Sequence, residues 1–142
     1  MPDTFTHTAL VAAPKAAVWA ALQRAETWKN IGPIEEVWDA THAEDGSLEG
    51  YRWSARAAGR TWKGVATTLE SVREHRMQLA LESPEIHGGI TVDIGAGEIT
   101  VSMDAEPRGP LATIFWGTVR RALQSGLPAQ VEAFASGLAI SD

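Results

Sequence analysis

Apolar and polar positions alternate from the start of the chain. Thr4, Thr6 and Thr8 interleave with Phe5, His7, Ala9 and Val11, the two-residue period of a strand with one buried face, which predicts a strand over about Phe5 to Ala12. Pro14 then opens an Ala-rich stretch to Gln23 in which Val18, Ala21 and Leu22 share a face flanked by Trp19. Pro near the first helical position suits a helix start, so a short amphipathic helix is predicted here. Glu26 to Ile31 reads as a second helical piece carrying Trp28, ended by Gly32-Pro33 because Pro cannot extend a helix and Gly tolerates the turn.

From Ile34 to Asp104 the pattern changes to short β-like runs with turn chemistry between them and no stretch at a helical period. The runs are Ile34–His42, Leu48–Ala57, Arg60–Val72, Met77–Glu82, Ile90–Ile94 and Glu98–Asp104. Their separators are Glu44-Asp45-Gly46-Ser47, Ala58-Gly59, Arg73-Glu74-His75, Pro84 to Gly89, and Gly95-Ala96-Gly97. Such spacings suit hairpins, so the sheet is expected to be antiparallel. One face is apolar throughout: Tyr51, Trp53 and Ala55; Met77, Leu79 and Leu81; Ile90, Val92 and Ile94; Ile99, Val101 and Met103. Arg52, Ser54, Arg56, Gln78, Glu82, Thr91, Asp93, Thr100, Ser102 and Asp104 alternate with them and are expected to face water. In the third run both Trp62, Gly64, Ala66 and Val65, Thr67, Leu69 suit the inner set, and Gly64 is read as a bulge or bend.

Arg108-Gly109-Pro110 turns the chain into a helix from about Leu111. Leu111, Ala112, Phe115, Trp116, Val119, Ala122, Leu123 and Leu127 fall on one stripe, with Arg120, Arg121 and Gln124 opposite. Gly126 and Pro128 are expected to kink or interrupt it before Val131, Phe134 and Leu138 restore the spacing. The predicted class is α+β: a curved seven-stranded antiparallel sheet, two short helices after strand 1 and a long C-terminal helix. No repeat or linker divides residues 1–142, so one domain is expected.

Composition narrows the function classes. The net charge of −6, with no basic run longer than Arg120-Arg121, provides no footprint for a phosphate backbone, so nucleic acid is not an expected partner. Integral membrane association is not expected either. Ala9 to Leu22 is apolar, but nothing basic precedes it and Pro14-Lys15 splits it, which argues against a signal peptide. Cysteine is absent, which removes a disulfide framework and mildly favours a cytoplasmic location. Six tryptophans against one tyrosine call for a roomy interior or a binding surface, because each indole is large and its N–H wants a partner.

The opening, with its strand, Ala13-Pro14-Lys15, Val18-Trp19, Ala21-Leu22 and Glu26-Thr27-Trp28, resembles the start of the START-like (SRPBCC) superfamily. That group includes the birch-pollen-allergen fold, bacterial polyketide cyclase/dehydrase-like proteins and lipid-transfer domains. The ending, Gly126-Leu127-Pro128 with Val131, Glu132, Phe134 and Leu138, is similar to that family's terminal helix. The resemblance implies a helix-grip fold with a hydrophobic cavity between sheet and helix for lipids, steroids, polyketides or aromatic compounds. It implies no reaction, since members range from enzymes to carriers.

Candidate chemistry is sparse. His7, His42, His75 and His87 stand far apart without metal-ligand spacing, so no metal is expected. His87, beside Gly88-Gly89, is placed in a loop overhanging the cavity mouth, although a solvated loop histidine is the preferred reading. Gly95-Ala96-Gly97 is better explained as a hairpin turn than as a dinucleotide loop, so no cofactor is expected, and no Gly-x-Ser-x-Gly elbow exists. Glu35-Glu36 with Asp39 lies near Trp38; one of these carboxylates turned inward would serve as a general acid or base, while solvated surface charges are the plainer account. Arg52 and Arg56 fall on the outward set. Small inward residues, Ala55, Ala57, Gly64 and Ala66, leave space beside the large rings.

The leading expectation is a cavity for a small apolar or aromatic molecule, lined by Trp28, Trp38, Tyr51, Trp53, Trp62, Leu79, Leu81, Val92, Val101, Met103, Phe115, Trp116 and Val119. The rival is a polyketide cyclase, dehydratase or isomerase using the same cavity, and a third reading is a protein-interaction module with an exposed apolar patch. The expected partner is a small hydrophobic molecule, with a homodimer left open.

Overall fold

The computed structural model describes residues 3–30, 34–57 and 59–140, with residues 30, 57, 139 and 140 described by their backbone alone. Ile31 to Pro33, Ala58 and the side chain of Ala57, all named in the sequence pattern, lie outside the described residues. The elements are β1 (Asp3–Leu10), α1 (Lys15–Leu22), a 3₁₀ turn (Ala25–Asn30), β2 (Ile34–His42), β3 (Leu48–Ala57), β4 (Arg60–Val72), β5 (Arg76–Glu82), β6 (Ile86–Gly95), β7 (Glu98–Pro107) and α2 (Pro110–Ile140). The seven strands form one curved antiparallel sheet in the order β1-β7-β6-β5-β4-β3-β2. Only the β1–β7 pairing joins distant parts of the chain; the other neighbours are hairpins.

The period-2 pattern accounts for the faces. Tyr51, Trp53, Trp62, Ala66, Met77, Leu79, Leu81, Ile90, Val92, Ile99, Val101 and Met103 are all buried on the concave side. Outward threonines of β1 meet β7 across the strand pair, Thr8 Oγ1 lying 2.9 Å from Thr100 Oγ1. In β4 the ambiguity resolves toward Trp62 and Ala66, while Val65 and Leu69 are exposed. The register stays regular at Gly64; the irregularity comes between Thr68 and Glu70. Gly64 has a different task. It faces Trp53 across the β3–β4 pair, and any Cβ there would collide with Trp53 Cζ2 and the Glu82 carbonyl. Gly97, at φ +76°, makes the tight β6–β7 turn that the Gly95-Ala96-Gly97 pattern predicted.

Two expectations need correction. Pro84 to Gly89 is not all loop, because β6 begins at Ile86 and pairs Ile86, His87, Gly88 and Gly89 with Pro107, Glu106, Ala105 and Asp104. Glycine weakens a strand by propensity, yet here a Cβ at Gly88 would strike the Asp104 carbonyl, so close backbone approach overrides propensity. His87 therefore sits on a strand rather than over a cavity mouth. Helix α2 also runs on through Pro128, so of the kink or interruption expected there the interruption does not occur. Leu127 and Val131 on either side are buried against the sheet, and the Gln124 carbonyl that loses its donor belongs to an exposed residue that water can reach.

α2 packs chiefly on β1 and then on β7, placing Ala112, Val119, Leu123, Leu127, Val131, Ala135 and Leu138 in the core. Leu111, expected on that stripe, is 40% exposed. The start of α2 is tied to the β5–β6 turn: Gly109 N donates to Glu85 O at 3.1 Å and Ala112 N to Glu85 Oε1 at 2.9 Å. A carboxylate at that position satisfies orphan helix N–H groups and complements the helix dipole. Farther along, Trp116 Nε1 donates to Asp3 Oδ2 at 2.7 Å and His7 Nε2 lies 2.7 Å from Glu132 Oε2, both joining α2 to β1.

Candidate functional site

The turn between β3 and β4, the β5–β6 turn and the start of α2 lie at one end of the sheet, and the interior beneath them is incompletely filled. A cavity of about 50 Å³ is bounded by Trp53 and Ala55 of β3, Trp62 of β4 and Leu81 of β5. Ile34, Ile86, Gly88, Met103 and Ala105 complete the sheet side, and Val119 and Leu123 of α2 close it from above. It exists because small residues stand among large ones. Gly88, Ala55 and Ala105 contribute almost no volume where a strand would ordinarily place a branched side chain.

Asp104 also borders the cavity, but its side chain is exposed and its Oδ1 lies beside Gly89 on the outer face, so its backbone is what reaches inward. Among the described residues the lining thus presents no charged side chain to the cavity. Glu35, Glu36 and Asp39 are exposed, because the pairing of β2 with β3 shifts between Ile34 and Glu36 and buries Ile34 in their place. Asp39, at φ 52° beside a second shift, pairs with Arg52 on the outer surface. His87 contacts Glu82, and Glu82 Oε2 accepts from Arg108 Nη1 at 2.8 Å, so this cluster too lies on the outside.

Among the described residues three buried side-chain polar atoms lack partners, Gln130 Oε1 on α2 and two on β3. Tyr51 is 2% and Trp53 4% exposed, and neither Tyr51 Oη nor Trp53 Nε1 has a hydrogen-bond partner. Burial holds the Tyr51 phenol well above the usual phenol range, so it remains an O–H donor. At this end of the sheet the Arg60 guanidinium stands 5.1 Å from the Phe115 ring centroid, linking the start of β4 to α2. Leu111 and Ile114 are exposed beside it.

Of the residues expected to line a cavity, Trp53, Trp62, Leu81, Met103 and Val119 do so. Tyr51, Leu79, Val92, Val101 and Trp28 are buried elsewhere in the same core, Trp28 with its Nε1 donating to Leu22 O at 3.0 Å. Phe115 and Trp116 are partly buried and engaged by Arg60 and Asp3. Trp38 is 37% exposed and does not border the cavity. The pattern did not single out Ile34, Ile86, Gly88 or Ala105 as lining; carrying the alternation of β6 back to Ile86 and of β7 on to Ala105 would have found three of them. Among the described residues no group of three His, Asp or Glu side chains is placed to hold a metal ion, and no helix is long and apolar enough to cross a membrane.

Solved structures share this architecture. A START superfamily protein from Mycobacterium smegmatis superposes with a TM-score of 0.62 at 17% identity, covering 92% of this chain and 97% of that one. A Thermus thermophilus protein gives 0.72 at 15% identity, covering 99% and 100%. The di-domain ARO/CYC BexL from the BE-7585A biosynthetic pathway gives 0.70 at 16%, covering 99% of this chain and 51% of that one. At such identities the likeness establishes the START-like fold alone. No curated protein sequence matches the chain. The family model for polyketide cyclase / dehydrase and lipid transport, however, matches residues 2–139, and with the helix-grip arrangement of sheet and α2 this makes the chain a member of that family.

Proposed function

We propose that this protein binds a small apolar or aromatic molecule in the cavity between the sheet and α2, acting as a carrier. The observation that carries the reading is the lining itself: indole, aliphatic and glycine surfaces enclosing a space that no charged side chain enters. A cavity of about 50 Å³ is far below the roughly 300–1,000 Å³ of typical ligand pockets, so admission requires the first turns of α2 to move off the sheet. A single Arg60–Phe115 contact and the exposed Leu111 and Ile114 support an opening at that end.

The family also contains cyclases and dehydratases, which need an inward acid or base. Tyr51 is the one buried ionisable side chain on the inner face among the described residues, and burial makes it a weaker proton donor than a free phenol. It offers a hydrogen bond and not a proton, which favours carriage over catalysis. The interaction-module reading is weaker still, because the exposed apolar residues are scattered among the described residues, Leu111 and Ile114 at one end, Leu10, Leu69 and Val72 at the other, and Trp38 and Val65 on either side of Arg52 in the middle of the sheet.

The test is mass spectrometry of any small molecule copurifying with the protein, with tryptophan emission and melting followed across a panel of steroids, fatty acids and aromatic polyketides. A ligand at 100 times its dissociation constant stabilises by about 2.7 kcal/mol, a melting shift of several degrees. No copurifying molecule and no response to any compound would sink the reading. Conversion of the bound compound, lost in Tyr51→Phe, would replace it with the enzymatic one.

A further inference from the structure

We propose that β1 is a dimerisation edge: two copies of this chain pair antiparallel along it, Thr6 opposite Thr6 about a two-fold axis, joining their sheets into one. The sheet ends in β1 on one side and β2 on the other, and the two edges are built differently. An open edge presents unpaired N–H and C=O groups, and proteins ordinarily guard it with charges, bulges or irregular backbone. β2 is guarded. Its pairing with β3 shifts register between Ile34 and Glu36 and again on either side of Thr41, Asp39 sits at φ 52°, and Glu35, Glu36 and Asp39 are all exposed.

β1 carries none of these guards. It pairs with β7 in unbroken register from Asp3 opposite Ala105 to Leu10 opposite Glu98, without proline or glycine. Its one carboxylate, Asp3, stands at the end and accepts from Trp116 Nε1. The direction of its backbone groups follows from the next residue. Val11 N donates to Gly97 O at 2.9 Å and continues the β1–β7 register, and hydrogen-bonded pairs alternate along an antiparallel ladder. Asp3, Phe5, His7 and Ala9 therefore direct their N–H and C=O groups to β7, and Thr4, Thr6, Thr8 and Leu10 direct theirs to the open side. Among the described residues no strand pairs with β1 on that side, and no other backbone hydrogen bond reaches those four.

A second copy fits this edge. Residues opposite one another in an antiparallel pair share a face, so centring on Thr6 sets Thr4 against Thr8, Phe5 against His7 and Asp3 against Ala9, with no like charges opposed. The outward hydroxyls extend a ladder already present, in which Thr6 Oγ1 donates to Ser102 Oγ at 3.3 Å and Thr8 Oγ1 lies 2.9 Å from Thr100 Oγ1. α2 meets the inner side of β1 through His7 and Asp3 and leaves Thr4, Thr6 and Thr8 exposed. Pairing β2 with its own copy would instead crowd Glu35, Glu36 and Asp39 together on a bulged strand. The β1 pairing also closes, since it uses up the open edge of both copies and leaves the guarded β2 at each end. One strand pair buries less than a standard interface of about 1,600 Å², so the dimer is weak, with a dissociation constant on the order of 10–100 μM.

Sedimentation velocity on the whole chain, from about 1 μM to about 1 mM, brackets that constant. Each copy carries a net charge of −6, so the runs use about 0.15 M salt to screen the repulsion. The mass should rise from one copy toward two. Thr6→Lys sets two cations against each other on the axis and should weaken association at least tenfold, with melting of the single copy little changed because Thr6 is exposed. In ¹H–¹⁵N spectra of the wild type, the Thr4, Thr6 and Thr8 amide signals should move with concentration while those of Glu35 and Glu36 stay in place, which decides the matter even if the variant fails to fold. A single copy at every concentration overturns the proposal. So does a dimer that survives in folded Thr6→Lys, or one that forms with the three threonine amides unmoved.

Discussion

The interior has two ends built from the same kinds of residue to opposite effect. Under α1, Leu22, Trp28, Leu48, Met77, Val92 and Ile99 are almost completely inaccessible, and hydrogen bonds thread among them. Trp28 donates to Leu22 O, and Leu48 N donates to Gln23 Oε1 at 2.9 Å. Under the start of α2, Trp53 and Trp62 stand among Ala55, Gly64, Gly88 and Ala105, space remains, and Trp53 Nε1 is unmatched. Two tryptophans of equal size thus stand in different surroundings, one filling the packed core and the other forming the wall of a cavity. What separates them is the volume of their neighbours and whether the indole N–H finds a carbonyl.

The contrast can be broken most forcefully at the packed end. Trp28→Ala removes a fully buried ring and its hydrogen bond, and should cost about 3–5 kcal/mol in urea unfolding. A loss below about 1 kcal/mol would mean that this end collapses around the void as readily as the other.

Adding volume sharpens the comparison at a smaller scale. Val18→Phe in α1 should destabilise by about 1–3 kcal/mol through overpacking, because Val18 is 2% exposed within the packed core. Ala55→Leu extends into the cavity and should change stability by less than about 1 kcal/mol while weakening at least tenfold the binding of whichever steroid, fatty acid or aromatic polyketide the wild type takes up. Equal destabilisation by the two, with binding retained, would erase the distinction between the ends.

The smallest expected effect is a gain. Tyr51→Phe deletes a buried hydroxyl with no partner, so the free protein should be unchanged or stabilised by up to about 1 kcal/mol in thermal or urea unfolding. A loss above about 1 kcal/mol would show the hydroxyl to be satisfied in solution.

The alternation of Tyr51, Trp53 and Ala55, of Met77, Leu79 and Leu81, and of Ile99, Val101 and Met103 was enough to predict the strands, their inner face and the antiparallel meander, because side-chain direction in a strand has a strict period of two. The stripe Val119, Leu123 and Leu127 likewise announced α2 at its 3.6-residue period. Tertiary structure alone decided which of these inward residues meet empty space. Leu79 and Leu81 carry the same pattern on one strand, yet only Leu81 borders the cavity, since its neighbours are Gly88 and Ala66. It also decided that Gly88 belongs to a strand, that Glu35 and Glu36 both turn outward at a register shift, and that Trp28 is paired where Trp53 is not. Local periodicity reports the face a residue takes. The volume left over and the fate of each polar atom depend on which distant segments arrive opposite, and those are set by packing across strands far apart in the chain.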